Sequence, residues 1–261
     1  MIDLQIGDCL NLMKALPENS IDATITSPPY DSLRTYEGVC TWGESQWKEA
    51  LNQLYRVTKK GGIVVWIVND MCIKGSESGT SFKQALYAKE IGFRLHDTMI
   101  WHKNSGGFTT HHNRYTQTFE YMFVFSKGAP QTHNIIKDKK NKWAGSKGCA
   151  SIRQPDGATR KQKTRHLIKE YGARYNIWEI NPVQSNTERT GHPAQFPIKL
   201  AHDHILTWTN KGDTVLDPFM GSGTTAVACI KTNRNFIGME MNENYYKLAQ
   251  NRIESEMGCS L

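Results

Sequence analysis

Residues 214–225 read TVLDPFMGSGTT, and residues 235–240 read NFIGME. The first segment runs from an apolar, β-branched stretch into a glycine-containing turn and then into helix-forming residues, so it predicts a strand, a turn and a helix. Gly221 and Gly223 would let a ligand approach the backbone closely. The second segment predicts a strand that ends at Glu240, whose carboxylate can accept hydrogen bonds from both hydroxyls of a ribose. Together the two segments predict a nucleotide-binding turn in an α/β fold.

This turn leaves more than one ligand open. Residues 221–226, GSGTTA, also satisfy the loose G-x-G-x-x-G/A pattern of dinucleotide-binding folds, so a nicotinamide-dependent dehydrogenase is an alternative. A packing turn that binds no ligand is a second alternative. A phosphate-binding NTPase loop is excluded, because no Gly-Lys-Ser or Gly-Lys-Thr follows the turn.

Strands alternate with helices along most of the chain. Besides the two strands around the glycine turn, apolar and β-branched runs predict strands at 21–26, 63–69, 94–101 and 120–125. Helical spacing of apolar residues predicts helices at 47–58, 82–91, 198–209 and 244–256. This alternation predicts a doubly wound α/β sheet, and 261 residues are enough for one large domain of this kind with an insertion.

The basic charge is concentrated in one stretch of the chain. The whole protein has a net charge of +7, while residues 127–174 contain 13 Lys or Arg and three acidic residues, a net charge of +10. The remainder of the chain therefore sums to −3. An element that faces the phosphates of a nucleic acid would carry such charge, and a solvated basic loop is the alternative.

Composition excludes several other classes of protein. No apolar run approaches the roughly 18 residues that a membrane span needs, and the first residues lack the pattern of a secretory signal. Both observations predict a cytoplasmic protein without a membrane partner. The six cysteines are scattered and form no C-x-x-C pair, which predicts reduced thiols and no metal site.

A second candidate site follows the strand predicted at 21–26, where residues 27–30 are Ser27, Pro28, Pro29 and Tyr30. An exocyclic amino group of a base is a poor nucleophile because its lone pair is conjugated into the ring, so catalysis needs acceptors for its hydrogens. The Ser27 hydroxyl and the Pro28 carbonyl can accept them on a peptide that two prolines make rigid. Tyr30 can stack on an extruded base. A strand-ending turn without a catalytic role is the alternative.

The two motifs together resemble the amino-methyltransferases of DNA, whose hallmarks are a [DNS]-P-P-[YFW] tetrapeptide and an F-x-G-x-G cofactor turn. Both are intact, at 27–30 and at 219–223. Because the tetrapeptide precedes the turn, the chain is similar to the β class of that family. The resemblance implies a circularly permuted, Rossmann-like methyltransferase sheet that uses S-adenosylmethionine and double-stranded DNA. It implies a catalytic half (1–126), an inserted basic target-recognition region (127–180) and a cofactor-binding half (181–261).

The resemblance also implies roles for individual residues. The catalytic set is Ser27, Pro28, Pro29 and Tyr30. The cofactor would be bound by Asp8, Phe196, Pro197, Asp217, Phe219, Gly221, Ser222, Gly223, Thr224 and Glu240. Asp8 follows a strand end, where a turn or helix cap is the alternative role. The DNA contacts would be made, as a group, by Arg153, Arg160, Lys161, Lys163 and Arg165.

The nature of the first tetrapeptide residue predicts the target base. Ser27 is similar to the residue found in cytosine amino-methyltransferases, whereas Asp or Asn is more typical of the adenine enzymes. We therefore expect transfer to N4 of cytosine, with N6 of adenine as the alternative.

A C5-cytosine enzyme is excluded, since none of the six cysteines follows a proline. An RNA methyltransferase and a DNA-binding module with a decayed site are further alternatives, and a cognate restriction endonuclease is a candidate partner.

Overall fold

The computed structural model describes residues 1–30, 42–104, 114–148, 151–161, 166–183, 190 and 195–258. The first elements are β1 (Ile2–Ile6), α1 (Cys9–Ala15), β2 (Ile21–Thr26), α2 (Glu44–Val57), β3 (Thr58–Val68), β4 (Cys72–Ile73), β5 (Ser76–Glu77), α3 (Thr80–Glu90), β6 (Arg94–His102) and β7 (Phe119–Ser126). They are followed by β8 (Lys139–Lys140), β9 (Ser151–Arg153), β10 (Thr159–Lys161), β11 (Tyr171–Gly172), β12 (Ile177–Glu179), α4 (Ile198–Trp208), β13 (Thr214–Asp217), α5 (Thr224–Thr232), β14 (Asn235–Glu240) and α6 (Glu243–Gly258).

An eight-stranded sheet has the order β1-β14-β13-β2-β3-β7-β6-β12. Neighbouring strands from β1 to β3 are parallel, whereas β7 pairs antiparallel with both β3 and β6. The amino end of β7 therefore lies at the same edge of the sheet as the carboxyl ends of β2 and β3. The predicted α/β fold is confirmed, with a mixed rather than fully parallel sheet. The circular permutation stays a prediction.

Helices cover both faces of this sheet. Residues Ile63, Val65 and Ile67 of β3 belong to a core cluster with side chains of α4, α5 and α6. Their neighbours Val64 and Trp66 belong to a second cluster with side chains of α1, α2 and α3. A strand that is buried on both faces has no polar face, which is why this segment is a continuous apolar run.

One strand boundary was predicted wrongly, and one strand was not predicted. The strand expected to start at 63 already begins at Thr58 and therefore includes Gly61 and Gly62. The strand passes through the glycines because Gly61 N–H donates to the Lys127 carbonyl and Lys127 N–H donates to the Gly62 carbonyl. The three-residue strand β12 was not predicted, since it is too short for a periodic pattern; it pairs with β6.

Ile135–Tyr175 form a second compact unit, separate from the unit of Met1–Asn134 and Asn176–Leu261. Its secondary structure consists of short antiparallel pairs, β8 with β11 and β9 with β10. Twelve Lys or Arg and three acidic residues give residues 135–175 a net charge of +9. The unit lies inside the predicted insertion 127–180, whose two ends belong to the larger unit.

The described part of the chain has three features that bear on the class of protein. Its helices include none with the length and apolar character that crossing a bilayer requires. Its His, Cys, Asp and Glu side chains form no group of three that could hold a metal ion. Cys9, Cys72 and Cys229, the cysteines within the described ranges, are free thiols.

Candidate active site

The tetrapeptide and the glycine turn begin at the carboxyl ends of two neighbouring parallel strands. β2 leads into Ser27 and β13 ends at Asp217, and Ala23 and Thr24 of β2 lie opposite Val215 and Leu216 of β13. From this pair the chain continues outward to β14 on one side and to β3 on the other. Open α/β sheets bind ligands in the crevice at the point where the strand order reverses in this way. The two motifs therefore share one edge of the sheet.

The glycine turn has the backbone that its sequence requires. Gly221 and Gly223 have φ of +51° and +77°, in the left-handed region that favours glycine. Gly223 is the N-cap of α5, and a Cβ on it would lie 3.2 Å from the Ala249 Cβ. The turn therefore needs glycine both for its backbone conformation and for its contact with α6.

Glu240 closes the turn from the next strand. Its Oε2 accepts a hydrogen bond from Gly221 N–H at 2.9 Å, and its Oε1 accepts one from Asn242 N–H at 2.8 Å. Burial raises the pKa of Glu240, and the backbone N–H groups of Asn242, Gly221 and Met241 act in the opposite direction. A carboxylate has about four acceptor sites, so Glu240 keeps the capacity to accept from a ligand hydroxyl beyond these bonds.

Asp217 lies beneath the turn and is held by the protein itself. It is 1% exposed. Oδ1 accepts from Thr26 Oγ1 at 2.7 Å and from Phe219 N–H at 3.2 Å, and Oδ2 accepts from Thr225 Oγ1 at 2.6 Å. The bond from Thr26 links the end of β2 to Asp217, which ends β13 and precedes the glycine turn. Burial raises the pKa of Asp217 to about 6, although these hydrogen bonds favour the carboxylate.

The raised pKa of Asp217 predicts a pH-dependent stability. The folded protein binds this proton more tightly than the unfolded chain, where the pKa is about 4. The stabilisation linked to it is complete below about pH 4 and is lost as the pH rises through about 6, by at most about 3 kcal/mol. Asp217→Asn cannot ionise, so its free energy of unfolding relative to wild type should rise between about pH 4 and 6 and then level off.

Urea denaturation at several pH values measures this difference. Asp156→Asn is a matched control because Asp156 is an exposed turn residue. A difference between Asp217→Asn and wild type that stays constant across this pH range would contradict the prediction.

The tetrapeptide side chains form a hydrogen-bonded row. Ser27 Oγ lies 2.7 Å from Tyr30 Oη, and Tyr30 Oη donates to Glu120 Oε2 at 2.7 Å. The other oxygen of Glu120 forms an ion pair with Lys103 Nζ. Ser27, Pro29 and Tyr30 are partly exposed, whereas Pro28 is buried. The predicted catalytic residues thus lie at the edge of the sheet where β2 ends, and the buried Glu120 carboxylate holds the Tyr30 hydroxyl.

The other predicted cofactor residues occupy different environments. Asp8 is exposed and is the N-cap of α1, with its carboxylate accepting from Leu10 N–H at 3.0 Å. Phe196 is buried in the core cluster that contains Met220, and Pro197 is the N-cap of α4. Their cofactor contacts stay predictions, and for Asp8 the cap is the role that its hydrogen bonds support.

Around the turn itself, the predicted residues are mostly buried. Phe219 packs edge-on against Trp42 with ring centroids 5.1 Å apart. Ser222 and Thr224 have exposed fractions of 2% and 4%. Arg252 Nη1 donates to the Ser222 carbonyl and to Thr224 Oγ1, at 3.1 Å each. These contacts stabilise the conformation of the turn. That the side chains of Phe219, Ser222 and Thr224 contact the cofactor stays a prediction.

Three of the five predicted DNA contacts lie on one hairpin of the second unit. Arg153 lies opposite Thr159, and Lys161 lies opposite Ser151. Since side chains alternate along a strand, Arg153 and Lys161 share one face of the β9–β10 hairpin, and Arg160 lies on the other. All three are exposed. Lys163 and Arg165 lie outside the described residues.

Sequence reasoning missed the side chains that connect the two motifs. Glu120 and Lys103 support Tyr30, while Thr26 and Thr225 hold Asp217. Thr26 is 191 residues from Asp217, and Glu120 is 90 residues from Tyr30, so no local pattern relates them. Glu120 heads the apolar run 121–125, and a charged residue at that place was a signal available in the sequence.

Comparison with known proteins agrees with this geometry. A family model described as DNA methylase, for the N6 and N4 enzymes, matches residues 21–251. The orphan methyltransferase M.BamHII of Bacillus amyloliquefaciens is 50% identical over 256 residues, which cover 96% of this chain and 91% of the relative. The type II methyltransferase M.ScaI of Streptomyces caespitosus is 28% identical, over 96% of this chain and 80% of its own length.

Solved structures resemble the fold over nearly the whole chain. The structure of M1.HpyAVI in complex with SAM has a TM-score of 0.63 and 26% identity, over 97% of this chain and all of the other. The PvuII DNA methyltransferase, described as cytosine-N4-specific, has a TM-score of 0.69 and 22% identity, over 98% and 90% of the two chains. The α/β architecture with its mixed sheet is therefore shared with methyltransferase structures.

Proposed function

The chain belongs to the N6/N4 family of DNA methylases, and from this premise we propose that it transfers the methyl group of S-adenosylmethionine to N4 of cytosine in DNA. The observation that carries the proposal is that Ser27, which follows β2, and Glu240, which ends β14, lie at the same edge of the sheet with only β13 between the two strands. The peptide at Ser27 offers acceptors for an amino group, and the turn that Glu240 closes fits a nucleoside. A dehydrogenase leaves the row from Ser27 to Lys103 without a role.

The residues at the turn fit S-adenosylmethionine. The Glu240 carboxylate accepts from the backbone N–H groups of Gly221 and Asn242 and keeps acceptor capacity beyond its backbone bonds, so it would accept from the ribose hydroxyls. Gly221 and Gly223 leave the backbone open to close approach. When bound, this cofactor supplies an electrophilic methyl group on a sulfonium sulfur.

The tetrapeptide acts on the amino group of the base. Ser27 Oγ and the Pro28 carbonyl accept the two amino hydrogens, which stabilises the positive charge that develops on the nitrogen as it attacks. Two prolines restrict the backbone here, so little conformational freedom is lost when the acceptors are aligned. The ring of Tyr30, anchored through its hydroxyl to Glu120, stacks on the base once it leaves the duplex.

The choice of cytosine over adenine rests on Ser27. Both bases present an amino group beside a ring nitrogen, so the same row of side chains serves either one. The test is incubation of DNA with the protein and isotope-labelled S-adenosylmethionine, followed by nuclease digestion and mass spectrometry. We expect label in N4-methylcytosine. Label in N6-methyladenine would keep the mechanism and overturn the choice of base, and absence of label would overturn the proposed function.

We propose that the β9–β10 hairpin contacts the DNA backbone through the face of Arg153 and Lys161. This face carries two cations, while the opposite face pairs Arg160 with the apolar Ile152. Each phosphate contact releases bound counterions and contributes about 0.9 to the slope of log affinity against log salt. The double change Arg153→Gln and Lys161→Gln should therefore lower that slope by about 1.8.

Fluorescence anisotropy of labelled DNA over a range of NaCl concentrations measures this slope. Arg160 was expected to contact DNA as one of the basic group, but it lies on the opposite face of the hairpin. Arg160→Gln is therefore the matched control and should leave the slope nearly unchanged. If Arg160→Gln lowers the slope as much as the double change does, the two faces contribute alike and the assignment of the Arg153 face is wrong.

Whether this chain has a protein partner stays a prediction. A cognate restriction endonuclease was expected from the family, and several relatives are named as type II methyltransferases. The relative with 50% identity is named an orphan methyltransferase. We propose that this chain can methylate DNA without a bound partner protein, which the same mass spectrometry assay on the purified chain tests.

A further inference from the structure

Four side chains form a continuous row behind the target-base site. Ser27 Oγ lies 2.7 Å from Tyr30 Oη, Tyr30 Oη lies 2.7 Å from Glu120 Oε2, and Glu120 Oε1 contacts Lys103 Nζ. Glu120 is 6% exposed. It reaches Tyr30 because β7 is antiparallel to β3, which brings the start of β7 to the edge where β2 ends. The predicted catalytic set did not include Glu120 or Lys103.

The donor and acceptor chemistry of this row allows one direction only. The ammonium of Lys103 can only donate, and the carboxylate of Glu120 can only accept. The Tyr30 hydroxyl has a single proton, and it donates that proton to Glu120. Toward Ser27 the Tyr30 oxygen can therefore only accept, so the Ser27 hydroxyl must donate its own single proton to Tyr30.

We propose that Glu120 is a positioning residue that makes Ser27 Oγ an obligate acceptor for the amino group of the target base. The inference rests on the proposed function and extends it to a residue outside the tetrapeptide. A serine hydroxyl can otherwise rotate and present its proton to the substrate. A proton aimed at an amino group would oppose the hydrogen bond that methyl transfer requires, and the row prevents this by using that proton elsewhere.

Lys103 gives the row its orientation. Its ammonium lies 4.6 Å from the centre of the Trp101 ring, and Trp101 is the cross-strand partner of Glu120. These contacts keep the ammonium beside Oε1 of Glu120. In a Glu120→Gln variant, the amide oxygen would therefore face Lys103 and the amide nitrogen would face Tyr30. The direction of the row would be reversed, and Tyr30 would donate to Ser27.

A double-mutant cycle between Glu120→Gln and Tyr30→Phe tests the proposal. Tyr30→Phe keeps the ring but removes the hydroxyl that transmits the direction. We expect Glu120→Gln to lower kcat by about tenfold or more in the wild-type background, with the KM for the cofactor unchanged. In the Tyr30→Phe background, the same change should cause no further loss, because Glu120 no longer reaches Ser27.

The matched control is Glu44→Gln, which alters a similar Glu–Lys ion pair on the exposed side of α2 and should leave kcat unchanged. An equal loss for Glu120→Gln in both backgrounds, or no loss in either, would overturn the positioning role. If Glu120→Gln alone does not fold, two double variants replace it, in which Lys103→Met is combined with Glu120→Gln or with Glu120→Leu. Without the Lys103 ammonium, the glutamine oxygen is free to accept from Tyr30, whereas leucine has no acceptor, so the variant with glutamine should have the higher kcat. Absence of methylation by the wild type would instead contradict the proposed function.

Discussion

Replacing Ser27 with alanine is expected to lower kcat for DNA methylation by about 10²-fold or more, because it removes one of two acceptors for the amino group. Ser27 is also the end of the row that runs through Tyr30 to Glu120. Alanine leaves no oxygen there, whereas the backbone and its two prolines stay in place. The loss should therefore fall on kcat, while the Kd for S-adenosylmethionine remains that of the wild type.

Quantitative mass spectrometry of the methylated base under single-turnover conditions gives the rate, and isothermal titration gives the cofactor Kd. Ser20→Ala is a matched control, since the Ser20 hydroxyl bonds to the Pro17 carbonyl away from the site. A Ser27→Ala enzyme whose rate stays within about threefold of the wild type would mean that the serine oxygen is not an acceptor in the reaction.

Glu240→Gln is expected to weaken binding of S-adenosylmethionine by about 10²-fold, since hydrogen bonds to a charged acceptor are the stronger ones. In the wild type, the two oxygens accept from Gly221 N–H and Asn242 N–H. Glutamine has one oxygen, so its amide N–H would face one of these backbone donors. The variant therefore loses an acceptor for a ribose hydroxyl and one bond that closes the glycine turn.

Calorimetric titration of the cofactor, with thermal unfolding to show that the variant is folded, measures this effect. Glu243→Gln is a suitable control because Glu243 is nearby in sequence but exposed, and it pairs with Lys247 on the surface of α6. A folded Glu240→Gln protein that binds the cofactor as tightly as the control would remove Glu240 from the cofactor site.

Much of the fold and both motifs were predictable because their signals are local. The apolar run 63–68 indicates a buried strand, and the glycines at 221 and 223 indicate a turn with left-handed backbone, whatever the rest of the chain does. The order of motifs along the chain also carried the family resemblance. These features depend on periodicity, on side-chain size and on backbone freedom, which are properties of neighbouring residues.

The start of β3 and the two faces of the β9–β10 hairpin were not predictable, because they depend on contacts between separate segments of the chain. Gly61 and Gly62 have the composition of a break, but hydrogen bonds with Lys127 keep them in β3. The register of the β9–β10 hairpin decides which side chains share a face. The sequence could therefore indicate a group of basic residues, but not which of them lie on the same face.

The sequence by itself determined the α/β class, the tetrapeptide at 27–30 and the glycine turn with Glu240, since each is encoded within a short segment. The tertiary structure alone decided that Thr26 bonds to Asp217 and that Glu120 reaches Tyr30. Such contacts require the strand order of the sheet and the antiparallel direction of β7. These bring to one edge of the sheet two pairs of residues that are 191 and 90 positions apart in the sequence. Burial at that edge, which no local pattern encodes, also raises the pKa of Asp217.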